Sequence, residues 1–210
     1  MNEHVLIPRQ DTETLVEEAV KLIRGRKKRE IKVLDMCTGS GCILLSILKM
    51  CKGTEGVGCD ISEDALIVAG RNANRLNIEA KWIQSDLFTE FKKITDKEKY
   101  DVIVSNPPYI RTSDIEDLQE EVRFYDPKIA LDGGEDGLSF YRKIVKDSIF
   151  YLKDKGRLLF EIGCDQAEEV SALMKESGYE DVAVKKDLAG LDRVVSGIYN
   201  REGYAPGTLA

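Results

Sequence analysis

The chain has 210 residues, with 31 lysines and arginines against 38 aspartates and glutamates; its net charge of −7 is opposite to the footprint of a nucleic-acid binder. No apolar stretch is long enough to span a bilayer, and no N-terminal leader pattern is present. The five cysteines (Cys37, Cys42, Cys51, Cys59, Cys164) form no C-x-x-C pair and His4 is the single histidine, which argues against a metal site and for a reducing, cytoplasmic setting.

In chain order, Thr12 to Arg24 reads as a helix with Leu15, Val16, Ala19, Val20 and Ile23 on one side. A basic cluster from Lys21 to Lys32 follows, containing Arg24, Arg26, Lys27, Lys28 and Arg29. Cations suit a helix C-terminus, so the cluster reads as a solvated helix end rather than an anion or RNA contact. Ile31 to Asp35 is a short β-rich run; the turn Met36-Cys37-Thr38-Gly39-Ser40-Gly41 leads from it into a buried helix, Cys42 to Leu48. Strand, glycine turn and helix together open a doubly wound α/β sheet, and the glycines let a ligand approach the backbone closely. A second strand, Gly56 to Asp60, ends in an acid 21 positions after Gly39, where it can bind both ribose hydroxyls. Ser62 opens a helix as N-cap, with Glu63 and Asp64 in the first turn, and Asn77 ends it. A third strand, Ala80 to Asp86, again ends in an acid, and a fourth, Tyr100 to Ser105, ends at Asn106.

Asp35, Asp60, Asp86 and Asn106 are thereby expected on the carboxyl edge of one sheet, where ligands bind in such folds. The turn lacks a full G-x-G-x-x-G, with Cys37 where a first glycine would stand, so an adenosine ligand without a pyrophosphate fits better. S-adenosylmethionine (SAM) is such a ligand. The fourth strand stops in Asn106-Pro107-Pro108-Tyr109, whose prolines offer no N–H and stiffen the turn. The Asn106 side-chain oxygen and a proline carbonyl, that of Pro107, can each accept one N–H of a planar NH₂ group, while Tyr109 covers its face. That arrangement suits alkylation of a planar nitrogen, with proton loss late in the transfer because no strong general base is evident.

Beyond it, acidic Ser113 to Arg123 reads as a helix or a flap over the site, Gly137 to Lys153 as helix, and Gly156 to Gly163 as a buried strand. A helix from Asp165 to Ser177 and strands Asp181 to Lys186 and Arg193 to Tyr199 complete seven strands.

These segments resemble a known family. Val33 to Ile43, Asp60, Ser85-Asp86-Leu87-Phe88 and Asn106 to Ile110 are similar to the peptide-chain release factor glutamine methyltransferases, the HemK/PrmC type. Leu6 to Glu13, Ala130 to Leu138 and Asp187 to Val195 resemble that group more than SAM enzymes in general. The resemblance implies the class I SAM-dependent methyltransferase fold, Rossmann-like, with a seven-stranded sheet and an antiparallel terminal strand. It implies SAM as cofactor, S-adenosyl-L-homocysteine as product, and a glutamine amide in a release factor's Gly-Gly-Gln motif as acceptor. Cys37, Thr38, Gly39, Ser40, Gly41, Asp60, Ile61, Asp86, Leu87, Asn106 and Arg9 are the implied cofactor contacts, with Asp86 taking the adenine amine. Asn106, Pro107, Pro108 and Tyr109 are the implied catalytic turn. Family members usually have proline at Gln10 and glycine at Cys37, and a helical domain ahead of the Leu-Ile-Pro-Arg segment that helps grip the release factor. The expected organisation is a methyltransferase domain over residues 1–200 without that helical domain, and a flexible tail over 201–210. The Asn-Pro-Pro-Tyr turn alone would equally suit an exocyclic amine of a DNA or rRNA base, a reading that the acidic charge disfavours.

Overall fold

A computed structural model of the chain describes residues 5–26, 30–91, 95 and 97–201. His4, Lys27, Lys28, Arg29 and the tail after Arg201 lie outside the described residues. Seven strands form one sheet in the order β3-β2-β1-β4-β5-β7-β6. The strands are β1 (Ile31–Met36), β2 (Thr54–Asp60), β3 (Lys81–Gln84), β4 (Tyr100–Ser105), β5 (Leu152–Glu161), β6 (Tyr179–Lys186) and β7 (Asp192–Tyr199). The first five run parallel, and β7 enters antiparallel between β5 and β6. Among the described residues no helix is long and apolar enough to cross a membrane.

Both faces of the sheet are covered, so its central strands are apolar on both sides. Val33, Val102, Val104 and Leu159 face α1 (Thr12–Arg24) and α2 (Cys42–Met50), meeting Leu15, Ala19, Ile43 and Ile47. Their neighbours Leu34, Ile103, Leu158 and Phe160 face α5 (Ser139–Ser148) and α6 (Ala167–Glu176), meeting Tyr141, Ile144, Val170 and Met174. The alternation along each strand is the two-residue period of β structure. Helix α3 (Glu63–Leu76) lies against β2 and β3 and begins as expected, with Ser62 Oγ accepting from the Ala65 amide at 3.2 Å. Asn77 ends it in the left-handed conformation, at φ 53°.

Several boundaries differ from the sequence reading: β2 begins at Thr54 rather than Gly56 and β6 at Tyr179 rather than Asp181, and two differences have clear causes. The helix expected over Gly137 to Lys153 spans only Ser139–Ser148, and β5 begins at Leu152. The strand makes an excursion there: Tyr100 pairs with Leu152 but Val102 pairs with Arg157. Lys153 leaves the register to bind Asp101 at 2.6 Å, and Lys155 turns the chain back at φ 57°. The third strand stops at Gln84 rather than Asp86, because the Ser85 hydroxyl donates to the Leu87 carbonyl and accepts from the Glu90 amide, folding the chain off the sheet. The acidic stretch after the Pro-Pro turn is a 3₁₀ turn, Thr112–Asp117, followed by α4 (Glu120–Tyr125).

The register places the carboxyl ends together. Met36 lies between Cys59 and Ser105, Asp60 pairs with Gln84, and Ser105 pairs with Phe160. Asn106 and Glu161 therefore follow side by side.

Candidate active site

A cleft of about 290 Å³ opens at this edge. Its lining includes Cys37, Thr38, Gly39, Ser40, Asp60, Ile61, Asp86, Leu87, Asn106 and Pro108. Arg9, Gly41, Pro107 and Tyr109 are not among the residues that line it; Arg9, Gly41 and Tyr109 have other contacts.

The glycine turn is held by its neighbours' polar groups. Buried Asp35 accepts from the Thr38 hydroxyl at 2.6 Å and from the Leu44 amide at 3.3 Å, tying the turn to α2. Burial pushes the Asp35 carboxyl up to about 7 against the Thr38 bond. Gly39 sits at φ 53°, where a side chain is disfavoured, and a Cβ there would meet nothing within 4 Å. It leaves open space at the cleft. Gly41 works differently, since a Cβ would come within 2.9 Å of the Trp82 ring and 3.1 Å of Ala69. It lets the start of α2 press against the neighbouring layer. Cys37, half-buried, also adopts a positive φ, 59°, which a glycine would take more easily.

The Asp60 carboxylate accepts from the Gly39 amide at 2.8 Å and, on its other oxygen, from the Ser62 amide at 3.0 Å. Each carboxylate oxygen has two acceptor sites, so the pinned group keeps capacity for further donors. Burial raises its pKa, and those amides hold it back. Asp86, exposed, stands at the rim beside Leu87, which is turned inward at φ 50° and braced by Ser85 and by Cys59 Sγ at 3.5 Å.

The Pro-Pro turn is gripped from behind. Buried Gln166 accepts from the Gly163 amide at 3.0 Å and donates to the Tyr109 carbonyl at 3.0 Å. A Cβ on Gly133 would come within 2.7 Å of Tyr109 Cα and 2.9 Å of the Pro108 oxygen, and one on Gly137 within 2.4 Å of the Tyr109 oxygen. The glycine-rich stretch Leu131 to Leu138 thus lies directly against the turn, joined also by an isolated bridge between Ile110 and Asp132. The Tyr109 ring packs partly buried against the core, and burial moves its hydroxyl up to about 12.

Behind the cleft wall, next to Asn106, stands a buried acid to which the sequence assigned no role. Glu161 is 2% exposed, and burial pushes its carboxyl up to about 7. Thr12, Arg193 and Asn106 all favour its charged form, whereas Asp11 opposes it. Arg193 binds Asp187 at 3.1 Å, Asp11 at 3.3 Å and the Ile162 carbonyl at 3.2 Å, which fixes Asp187-Leu188-Ala189-Gly190-Leu191-Asp192-Arg193 against this corner. Burial lowers the Arg193 pKa, but the bonds to Asp187 and Asp11 outweigh it and leave it raised.

The sequence signature of the Methyltransferase small domain family matches residues 12–123. The release factor glutamine methyltransferase of Clostridium acetobutylicum is 47% identical over 193 residues, covering 91% of this chain and 66% of that protein. That of Agrobacterium fabrum is 41% identical over 200 residues, covering 93% of this chain and 68% of its own length. The chain belongs to the release factor glutamine methyltransferase family. It spans about two thirds of the length of these curated relatives. The crystal structure of the release-factor-specific protein-(glutamine-N5) methyltransferase from Alicyclobacillus acidocaldarius is 30% identical and superposes with a TM-score of 0.56, covering 92% of this chain and 94% of that one. The sheet is the class I SAM methyltransferase sheet, and the family and fold imply SAM use.

Several further residues line the cleft, some from the Leu6 to Glu13 and Ala130 to Leu138 stretches and some with no signal in the sequence. Val5, Leu6, Pro8 and Thr12 bring the N-terminal segment over the cleft, and Val5 packs on Ala65 and Val68 of α3. Arg9 pairs with Asp126 at 2.6 Å, and the Ile7 amide donates to the other Asp126 oxygen at 3.3 Å. The pair clasps this segment to the loop carrying Pro127, Ile129 and Ala130, which also line the cleft. Phe140 and Lys143 reach it from α5. The fixed bond from Asp126 to Ile7 explains why Leu-Ile-Pro-Arg belongs with the motifs: it is part of the cleft wall.

Proposed function

We propose that this chain transfers the methyl group of SAM to the side-chain amide nitrogen of a glutamine in the Gly-Gly-Gln motif of a peptide-chain release factor, in the cytoplasm. The observation that carries the reading is Asn106 and Pro108 lining the same cleft as Asp60 and Asp86, in a chain 47% identical to a release factor glutamine methyltransferase.

The residues present fit SAM. The open space at Gly39, the pinned Asp60 carboxylate and the largely apolar cleft suit an uncharged adenosine better than a polyphosphate. Asp60 would accept the ribose hydroxyls, Asp86 the adenine amine, with Ile61 and Leu87 flanking the ring and Cys37 to Ser40 lining the cleft beside them. When bound, SAM supplies an electrophilic methyl on a cationic sulfonium.

The chain's own work is on the acceptor. An amide nitrogen is a poor nucleophile because its lone pair is delocalised into the carbonyl. Accepting its hydrogens at Asn106 Oδ1 and the Pro107 carbonyl favours positive charge on that nitrogen and fixes the direction of its lone pair. The braced turn makes this pre-organised, since Gln166, Gly133 and Gly137 hold its backbone before substrate arrives. Tyr109 does not line the cleft and its ring packs against the core, so covering the amide would require that ring to swing out. Arg9, through Asp126, would order the cleft's entrance rather than touch the cofactor.

A transfer assay with tritiated SAM, offering release factor and ribosomal or plasmid nucleic acid separately, tests the reading. Label is expected in the release factor at the Gly-Gly-Gln glutamine, and label in nucleic acid alone would overturn it.

A further inference from the structure

The proposed chemistry calls for no buried carboxylate beside the acceptor turn, yet Glu161 is there. It ends β5 next to Asn106, 2% exposed, and its Oε2 has no hydrogen-bond partner among the described residues. A buried acceptor left unmatched is costly, so its retention calls for a role. The backbone around it is fixed: the Tyr141 hydroxyl donates to the Glu161 carbonyl at 2.9 Å, and Arg193 donates to the next carbonyl, Ile162, at 3.2 Å. Pairing of Ser105 with Phe160 sets Glu161 beside Asn106 in the next position, and Asn106 favours the charged form of its carboxyl.

We infer that Glu161, in its ionised form, is a positioning residue that sets the orientation of the Asn106 carboxamide. This rests on the reading that Asn106 receives the substrate amide. The oxygen and nitrogen ends of an asparagine are nearly equal in shape, and only the hydrogen bonds around them select one orientation. An ionised carboxylate can only accept, so it takes the Asn106 NH₂ and leaves Oδ1 facing the cleft as the acceptor the reaction needs. A protonated Glu161 can donate instead. It would capture Oδ1 and turn the Asn106 NH₂ toward the substrate NH₂, donor against donor. Glu161 thus converts a symmetric-looking side chain into a one-way acceptor.

The groups facing Glu161 set its protonation. Arg193 from β7 and the Thr12 hydroxyl from α1 favour the anion, as does Asn106 after β4. Asp11, ahead of α1, disfavours it. Tyr109 and Tyr141 are raised by burial and stay neutral, as does the Cys42 thiol of α2, pushed up to about 11. Burial against these anion-favouring contacts leaves the Glu161 carboxyl near 7, so the productive form gains as pH rises through about 7 and is lost below it. A cationic SAM in the cleft moves that midpoint lower.

Two measurements decide the matter, the first without any turnover. In ¹⁵N-labelled protein, the Asn106 side-chain NH₂ signals, assigned by their absence from Asn106→Asp, should shift with a midpoint near pH 7. They should be flat with pH in Glu161→Gln. Signals that do not titrate in the wild-type protein would overturn the inference, whatever the substrate proves to be. In the second, Glu161→Gln is compared with wild type on release factor. A fall in kcat of about ten- to a hundredfold is expected, since Gln can present either end to Asn106. KM for release factor and SAM affinity should stay within twofold, and the acid limb of the rate profile should vanish. Normal kcat, or an acid limb that persists in Glu161→Gln, would refute it. Failure of the wild-type enzyme to methylate release factor would sink the functional reading instead and leave the NMR result to judge Glu161.

Discussion

The two sides of the cleft are built in different ways. On the side of the glycine turn, at the ends of β1, β2 and β3, each turn has a polar contact of its own: Thr38 with Asp35, three residues apart, Ser62 with Asp60, two apart, and Ser85 with Leu87, two apart; bonds between strand ends, such as Asp60 to Gly39, 21 apart, then tie these turns together. On the acceptor side, the Asn106-Pro107-Pro108-Tyr109 turn is held from a distance, by Gln166 57 residues away, by Gly133 and Gly137, and by Glu161. Short motifs shape most of the place proposed for an adenosine, with a few strand-to-strand bonds between them. Presenting an amide acceptor in one orientation takes the whole fold, and each half can be broken separately.

The largest effect is expected from Asn106→Ala. It removes the one side chain in the turn that both lines the cleft and can accept an amide proton. Loss of one such pre-organised partner should lower kcat by about 10²–10³-fold. The melting temperature should fall only modestly, because Asn106 follows the end of β4 rather than filling the core, although buried Glu161 loses a neighbour that favours its charge. Near-normal turnover by this variant would make the turn architecture and erase the contrast between the two sides.

Asp60→Ala should do the reverse. Charge-assisted hydrogen bonds are each worth about 1.5–3 kcal/mol, so losing those to the ribose hydroxyls should weaken SAM affinity by calorimetry by at least roughly one to two orders of magnitude. Turnover at saturating SAM should remain within a few-fold of wild type. An affinity unchanged within twofold would remove Asp60 from the cofactor site.

Gly137→Ala probes the long-range bracing. Its Cβ would lie 2.4 Å from the Tyr109 oxygen and 2.7 Å from Gln166 Nε2, at a φ of +74° that alanine resists. Overpacking of this kind costs about 1–3 kcal/mol. Both the melting temperature and kcat should fall, with SAM affinity kept. If SAM affinity falls in step with kcat, the two sides are mechanically one unit.

The same division explains what could be read from the chain alone. The glycine turn, Asp60, the Ser62 cap and the proline turn are each specified within a few residues, and the alternation of strands and helices carries the α/β class of the sheet. The β5 start was hidden because Leu152 to Arg157 makes its excursion only to bring Lys153 to Asp101, a partner 52 residues away. Asp86 falls past the end of β3 because Ser85 bends the chain away from the sheet, which apolar patterning does not encode. Glu161 looked like the polar end of one more buried strand. Its closeness to Asn106 exists only once β4 and β5 are paired. Arg9 and Thr12 stand in a stretch the sequence singled out, but their partners Asp126 and Glu161 were hidden, since these lie more than a hundred residues downstream.

The smallest effect is expected at Cys37, where the local account of the cofactor side is tested most directly. Its φ of 59° is a conformation that costs a side chain about 1–2 kcal/mol and costs glycine almost nothing. Cys37→Gly relieves that strain. It also loses the half-buried thiol packed against the core, and it loosens the unfolded chain by about 0.4–1 kcal/mol. These terms nearly cancel, so stability by denaturant titration should change by less than about 1 kcal/mol, with SAM affinity kept. Cys37→Val keeps side-chain bulk but puts a β-branched residue at positive φ, and should be the worse of the two. If Cys37→Gly proves the more damaging, packing of the thiol rather than the backbone conformation holds this turn, and the cofactor side is no more local than the acceptor side.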